Sequence, residues 1–516
     1  MRIAALPFLA LALGSGSRPE PKVVTLLFTN DVESAYDPIP AFWLGDLESI
    51  GGIAEMTTLI RELRKTEPNT FLFDSGDIFT GALSKLTGGE LAFELMITMG
   101  YDAMAIGNHE FEYGAEILAR EKDRAPFPVL GANLFYRGTS HPFAQPHAVL
   151  ERNGVRIGVI GIMGPDAATA IIPSFIAPLD VTDPAEAVQR SVNELRDDVD
   201  LIVLLTHQGK TAPMQTDAEI DPRLQRDIDA DVRLAGAVEG IDVLLAGHAD
   251  AGTPEPVVHE KTGTLIMQTY GQATYLGYLR LTLDRETGRI VSHEGKLIPV
   301  DSGRLPPDPA IQAKLEKYRS LYPELRERVG RTEARMNRRY VDESDVGNLF
   351  ADILVEVSNA DAAFIHSGSL RKDLPEGDVA LADILDVYPF VDDVVVMRMT
   401  GDQVRRVLEQ SLTLERGLLQ VSGIEVVFDL SKPERERLVS MRRKGSPIEP
   451  ADELEVAVSG FLAEGGDLYD AFPEAKRLRT LGKVSDVVVG YFRSRDVVRV
   501  PPRGRQKSVP TGSRNR

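Results

Sequence analysis

The chain has 516 residues, 43% hydrophobic and 26% charged, which is enough for two or three ordinary domains and too apolar for a disordered polymer. Its formal net charge of -20 argues against binding to nucleic acid or to an anionic membrane surface, so an anionic substrate would need locally placed cations. The absence of cysteine excludes thiolate metal ligands, a cysteine nucleophile and disulfides.

In chain order, Arg2 precedes an apolar stretch over 3–13, and Gly14-Ser15-Gly16-Ser17 supplies small residues, so residues 1–17 read as a cleaved secretory signal. The stretch is too short to span a bilayer, and no stable membrane anchor is expected. A periplasmic or secreted location follows. From 22 to 303 apolar runs alternate with helical patterns. Ile53, Met56, Ile60 and Leu63 recur at helical spacing, as do Leu91, Leu95 and Met99. The runs 23–28, 70–73, 103–106, 201–205 and 243–246 are apolar at nearly every position, and 155–162 follows the turn Asn153-Gly154 in the same way. Continuous runs of this kind suit strands buried on both faces, in sheets layered with helices.

Five of these runs end in a short polar turn: Thr29-Asn30-Asp31, Ser75-Gly76-Asp77, Gly107-Asn108-His109-Glu110-Phe111-Glu112, Thr206-His207 and Gly247-His248. One such turn is an ordinary strand–helix junction. Five of them, three carrying histidine, would gather at one sheet edge, where layered α/β folds place their sites. Their side chains are the oxygen and imidazole donors that hold divalent metals.

The stretch 301–309, rich in Gly, Pro and Asp, marks a boundary. A linker over 304–330 follows, charged and mostly helical across 310–329 on solvated surface. A second α/β domain is expected over 331–497, with a helix marked by Val346, Leu349, Phe350, Ile353 and Leu354, and strands at 394–399 and 425–428. Residues 498–516 read as a polar tail.

The ordered motifs Thr29-Asn30-Asp31, Gly51-Gly52, Ser75-Gly76-Asp77, Gly107-Asn108-His109-Glu110-Phe111, Thr206-His207 and Gly247-His248 resemble the 5'-nucleotidases of the calcineurin-like metallophosphoesterase superfamily. The second half is similar to that family's C-terminal domain, through Asp345-Val346-Gly347-Asn348, Ser367-Gly368-Ser369-Leu370-Arg371, Pro389-Phe390, Ser422-Gly423-Ile424 and Phe461 with Gly465-Gly466-Asp467. The resemblance implies a four-layer α/β/β/α metallophosphoesterase domain joined by a helix to a substrate-binding α/β domain. It implies two divalent metal ions, the first held by Asp31, Glu33 and Asp250, the second by Asn108, His207 and His248, with Asp77 shared. Two such ions clamp a phosphate, activate water at neutral pH and stabilise charge in an in-line displacement. His109 would contact the scissile phosphate, with Glu112 orienting its ring. Phe390 and Phe461 would stack on a base, Arg371 would meet phosphate or sugar, and Asp467 would accept from ribose hydroxyls. Asp392 and Gly423 complete the expected substrate set, and Arg338 and Arg339 are further candidates for phosphate contact.

Several positions depart from the family pattern. Glu33 stands where His is usual, Asp250 where Gln or His is usual, Glu112 where Asp is usual, and Asp392 where Asn is usual. Four carboxylates around the metals favour Mn²⁺ or Mg²⁺, with Zn²⁺ or Co²⁺ as the alternative. The expected activity is phosphate release from nucleoside 5'-monophosphates, extending to nucleotide sugars or 2',3'-cyclic nucleotides. The competing reading is a nucleotide-binding protein with little catalysis because its metal ligands are altered. The partner is a small-molecule nucleotide in either case, and oligomeric partners are not assigned.

Overall fold

Side chains alternate across a strand, so a run that is apolar at every position needs a core on each side. The computed structural model, which describes residues 22–211, 226–284 and 287–509, has both cores. The expected signal segment 1–17 lies outside the described residues. In β1 (Lys22–Thr29), Val24, Leu26 and Phe28 enter one apolar cluster while Leu27 enters another. β2 (Thr70–Asp74) splits in the same way, with Phe71 and Phe73 opposite Leu72, and it runs parallel to β1 and to β3 (Ala103–Ala105). These strands form a six-stranded mixed sheet whose other edge is the antiparallel hairpin Tyr275–Leu283 and Ile290–Pro299.

A second six-stranded sheet is centred on the parallel pair β4 (Leu201–Gln208) and β5 (Val243–His248). Leu201, Val203 and Leu205 join the cluster shared with the first sheet, whereas Ile202 and Leu204 pack outward. The shared cluster is therefore the interior of a sandwich. Helices α1 (Ile53–Thr66), α2 (Gly81–Thr87) and α3 (Glu90–Met99) cover the first sheet. Helices α4 (Pro184–Leu195) and α5 (Asp229–Ala237) cover the second, completing the expected α/β/β/α layers.

The connection differs from the expected linker. Helix α6 (Pro309–Leu321) starts on the Asp308 side chain, which accepts from the Ala310 and Ile311 amides, and ends before Pro323. The chain then turns once through Pro323–Arg326 and enters the strand Arg328–Thr332, so it is not helical to 329. Nor is α6 merely solvated, since Ile311, Leu315 and Tyr318 are buried in the core beneath the first sheet.

The second domain is built on a five-stranded sheet. At its centre β6 (Ala362–Ile365) runs parallel to Glu453–Ser459, which pairs antiparallel with β7 (Asp393–Thr400), and α7 (Asp345–Ser358) packs beside them. The expected tail is, up to Val509, part of this domain. Gln506–Ser508 adds a parallel strand to Glu425–Phe428, and Arg505 pairs with Asp352 through two 2.6 Å hydrogen bonds. The basic residues that suggested a solvated tail are the groups that tie it down.

Candidate metal centre and cleft

The ends of β1, β2, β3, β4 and β5 bring their polar turns together. Asp31, Glu33, Asp77, His248 and Asp250 all have positive φ, between 45° and 74°, a strained conformation for residues with a Cβ and one that collects at functional sites. Short cross-links hold the turns in this form. The His248 amide donates to Asp31 Oδ2 at 2.8 Å, the His109 amide to Asp77 Oδ1 at 2.7 Å, and the Glu33 amide to the Asp77 carbonyl at 2.9 Å. Glu110, buried between the turns, accepts from the Asp77, Ile78 and Gly107 amides at 2.9, 2.8 and 2.7 Å. Nothing in the sequence separated this supporting glutamate from its motif neighbours. Gly107 is required sterically, because a Cβ there would lie 2.3 Å from Asp77 Oδ1.

The histidines are aimed by their outer nitrogens. His207 Nδ1 donates to the Ser75 carbonyl at 2.7 Å, leaving Nε2 3.0 Å from Asp77 Oδ2 and 3.1 Å from Asn108 Oδ1. His248 Nε2 is buried without a hydrogen-bond partner. Ligand atoms of Asp77, His207 and His248 all lie within 4.8 Å of one another. His109 Nδ1 is 2.5 Å from Glu112 Oε1, and Thr80 also donates to Glu112 at 2.7 Å. Asp250 Oδ2 meets Arg226 at 3.0 Å and Oδ1 meets Asn30 at 3.3 Å.

Burial pushes the Asp31 carboxyl up to about 7, with Asp77 and Glu33 adding to the shift and His207 opposing it. Burial and Asp31 likewise drive Asp250 well above the carboxylate range. Burial acts upward on Asp77 too, yet the adjacent His207 and His109 hold it below that range. Burial opposes charging of His109, but Asp77 and Glu112 outweigh it and raise the ring to about 10. His248 goes the other way, lowered by burial and by His207. Crowded carboxylates beside a neutral imidazole with an unpartnered nitrogen form a donor set suited to divalent cations.

The second domain closes this centre into a cleft. Arg371 Nη2 donates to Glu33 Oε1, and the Phe390 ring lies 6.3 Å from the His109 ring. The walls also include Phe461, Asp467, Asp392 and Arg338. Asp392 is committed internally, accepting from the Tyr388 hydroxyl and the Phe461 amide, each at 3.0 Å. Gly423 is not brought to the cleft: at φ 80° it sits where a Cβ would collide with the Asp361 carbonyl at 2.2 Å, so it serves a turn. Arg339 is likewise absent from the lining. His366, Tyr340 and Arg416 are cleft residues that sequence reasoning missed. His366 directly precedes the Ser367-Gly368-Ser369 turn and could have been found from it. Arg416 carries no local signal. His366 Nε2 is 3.1 Å from Asp467 Oδ2, and its ring packs edge-on to Phe461 at 5.7 Å.

Comparison with known proteins follows the same division. The family described as calcineurin-like phosphoesterase matches residues 25–249, and 5'-nucleotidase, C-terminal domain, matches 328–474. A 5'-nucleotidase of Diplobatis ommata is 28% identical, with 97% of this chain and 92% of that protein covered. The Homo sapiens 5'-nucleotidase is 27% identical over 98% of this chain and 94% of its own length. The crystal structure of a 5'-nucleotidase precursor from Thermus thermophilus superimposes with a TM-score of 0.82 at 25% identity, covering 95% of this chain and all of that one.

Proposed function

Because the chain belongs to the calcineurin-like phosphoesterases with a 5'-nucleotidase C-terminal domain, and is thus a metal-dependent phosphoric ester hydrolase, we propose that it releases phosphate from nucleoside 5'-monophosphates. Nucleotide sugars and 2',3'-cyclic nucleotides belong to the same substrate range. The observation that carries this reading is the 6.3 Å approach of His109 and Phe390, which sets a cationic ring from one domain beside an aromatic face from the other.

Asp31, Glu33 and Asp250 would hold one divalent ion, and Asn108, His207 and His248 the other, with Asp77 facing both. The carboxylates favour Mn²⁺ or Mg²⁺ over Zn²⁺ or Co²⁺. When bound, the ions supply Lewis acidity toward the phosphoryl group and make water a usable nucleophile. The remaining work falls to the chain. His109, with Nδ1 held by Glu112, would turn Nε2 to the phosphoryl group, an arrangement that favours developing negative charge. Phe390 and Phe461 would stack on the base, a contact worth about 1–3 kcal/mol. Asp467, whose buried Oδ1 makes no hydrogen bond and lies 3.7 Å from Arg416 Nε, would accept from a sugar hydroxyl. A periplasmic or secreted location is supported by the expected signal over 1–17, and among the described residues no helix is long and apolar enough to cross a membrane.

Purified protein assayed for phosphate release from nucleoside monophosphates, a nucleotide sugar and cyclic nucleotides, with each of the four metals, tests the reading. Release of phosphate from monophosphates is expected. Tight nucleotide binding without turnover under every metal would establish instead a binding protein of weak catalysis.

A further inference from the structure

Glu33, assigned above to one of the metal ions, also makes contacts outside that role. Its Oε1 accepts from Arg371 Nη2, across the domain boundary, and lies 3.3 Å from His109 Nε2. Its backbone is fixed, with φ 45° and its amide bonded to the Asp77 carbonyl. The side chain is 8% exposed, so the pairing is well shielded from solvent. Arg371 is further tethered through Nη1 to the Gly368 carbonyl at 3.2 Å. A carboxylate placed between a guanidinium and an imidazole occupies the kind of seat a phosphoryl oxygen takes, since arginine recognises both groups through the same fork of donors.

We infer that Glu33 is a charge filter that shifts this site toward singly charged phosphodiesters and away from doubly charged phosphomonoesters. The inference rests on the phosphohydrolase reading and, within its substrate range, raises nucleotide sugars and cyclic nucleotides relative to the monophosphates that the site still accepts. Pairing with Glu33 cancels the charge of Arg371 where the phosphoryl group would sit. A unit of positive charge withdrawn beside the phosphorus costs a dianion twice the Coulomb attraction it costs a monoanion. With the Glu33 side chain 8% and that of Arg371 20% exposed, salt screens the penalty less than it would at an open surface. A neutral side chain at 33 would leave Arg371 charged and free to meet a monoester.

The test compares wild type with Glu33→Gln, which keeps the shape and removes the charge. At pH 8, p-nitrophenyl phosphate and bis(p-nitrophenyl) phosphate share a leaving group and differ in charge. The ratio of kcat/KM, monoester over diester, should rise at least about tenfold in Glu33→Gln. Calorimetry with inorganic phosphate and dimethyl phosphate on chelator-treated protein reads the same effect without turnover or metal. Phosphate should bind about tenfold more tightly to the Gln form, and dimethyl phosphate should change less. An unchanged ratio, or equal phosphate affinity in the two proteins, overturns the filter. Should neither ester be hydrolysed, the hydrolase reading fails while the calorimetry still decides the role of Glu33.

Discussion

At His109 the chemistry depends on two bonds made by opposite edges of one residue. The amide is held at 2.7 Å by Asp77, a bond that alanine would keep, and Nδ1 is held at 2.5 Å by Glu112, so what the side chain adds is the contact with Glu112. His109→Ala should therefore keep its metal content while kcat falls at least about 10²-fold, the usual loss for one electrostatic or acid–base group. Elemental analysis beside kinetics checks this, and lost metal would make His109 a ligand. Behind the centre lies Asp74, which accepts from Thr29 at 2.6 Å and the Gly76 amide at 2.8 Å. Burial pushes its carboxyl from 3.8 up to about 8. Between those values the folded protein binds a proton that the unfolded chain has released, so this group makes stability fall as pH rises through that window. Asp74→Asn cannot ionise. Urea unfolding of the two proteins at several pH values should show the variant gaining on wild type from about pH 4 to 8, and parallel curves would mean Asp74 stays ionised when folded.

The elements explain what could be read in advance. Strands such as β1 and β4 announced themselves because residues like Leu26 and Leu27, or Val203 and Leu204, must be apolar on both faces of a layered sheet. Their polar ends were legible for the same reason, since each hydrophobic run stops abruptly at the site. The positive φ values of Asp31, Glu33 and Asp77 were not legible, because no glycine marks them and only contacts from other turns impose them. Residues 498–509 misled because polarity signals exposure only when no partner waits, and Asp352 waits for Arg505. Phe390 and Phe461 look alike in sequence but occupy different surroundings. Phe461 belongs to a buried apolar cluster, whereas Phe390 is only partly buried at the cleft wall. Phe390→Ala should raise KM for a nucleoside monophosphate on the order of tenfold and barely change it for p-nitrophenyl phosphate, which has no base to stack. Phe461→Ala should in addition lower the unfolding midpoint, because it opens a core. Equal KM changes for both substrates would assign Phe390 to support alone.

At the scale of the molecule, neither domain holds a whole site, so their alignment is itself part of recognition. Polar contacts besides the Glu33–Arg371 pair fasten the boundary. Lys85 of α2 donates to the Phe390 carbonyl at 2.8 Å and to Ser485 at 2.9 Å, and Asp386 accepts from the Ala82 amide at 2.9 Å. Lys85 therefore positions the backbone of the residue expected to stack on the base. Lys85→Met, which keeps the length and loses the donors, should raise KM for nucleotides several-fold while leaving p-nitrophenyl phosphate hydrolysis near wild type, because the metal centre lies wholly in the first domain. Burial lowers the Lys85 ammonium from 10.5 to about 8, against the pull of Asp486 and Asp392. Between those values the unfolded chain binds the proton that the folded chain lacks, so stability rises with pH there. Wild type should accordingly gain stability relative to Lys85→Met as pH climbs from about 8 to 10.5, since methionine has no proton to lose. The amine keeps its donors when neutral, so the fastening survives the titration and KM for nucleotides should not follow that stability change. Unfolding curves and nucleotide kinetics across the same pH series separate the two effects. A nucleotide KM that tracked the unfolding midpoint would show that the charge of Lys85, and not its hydrogen bonds, aligns the domains.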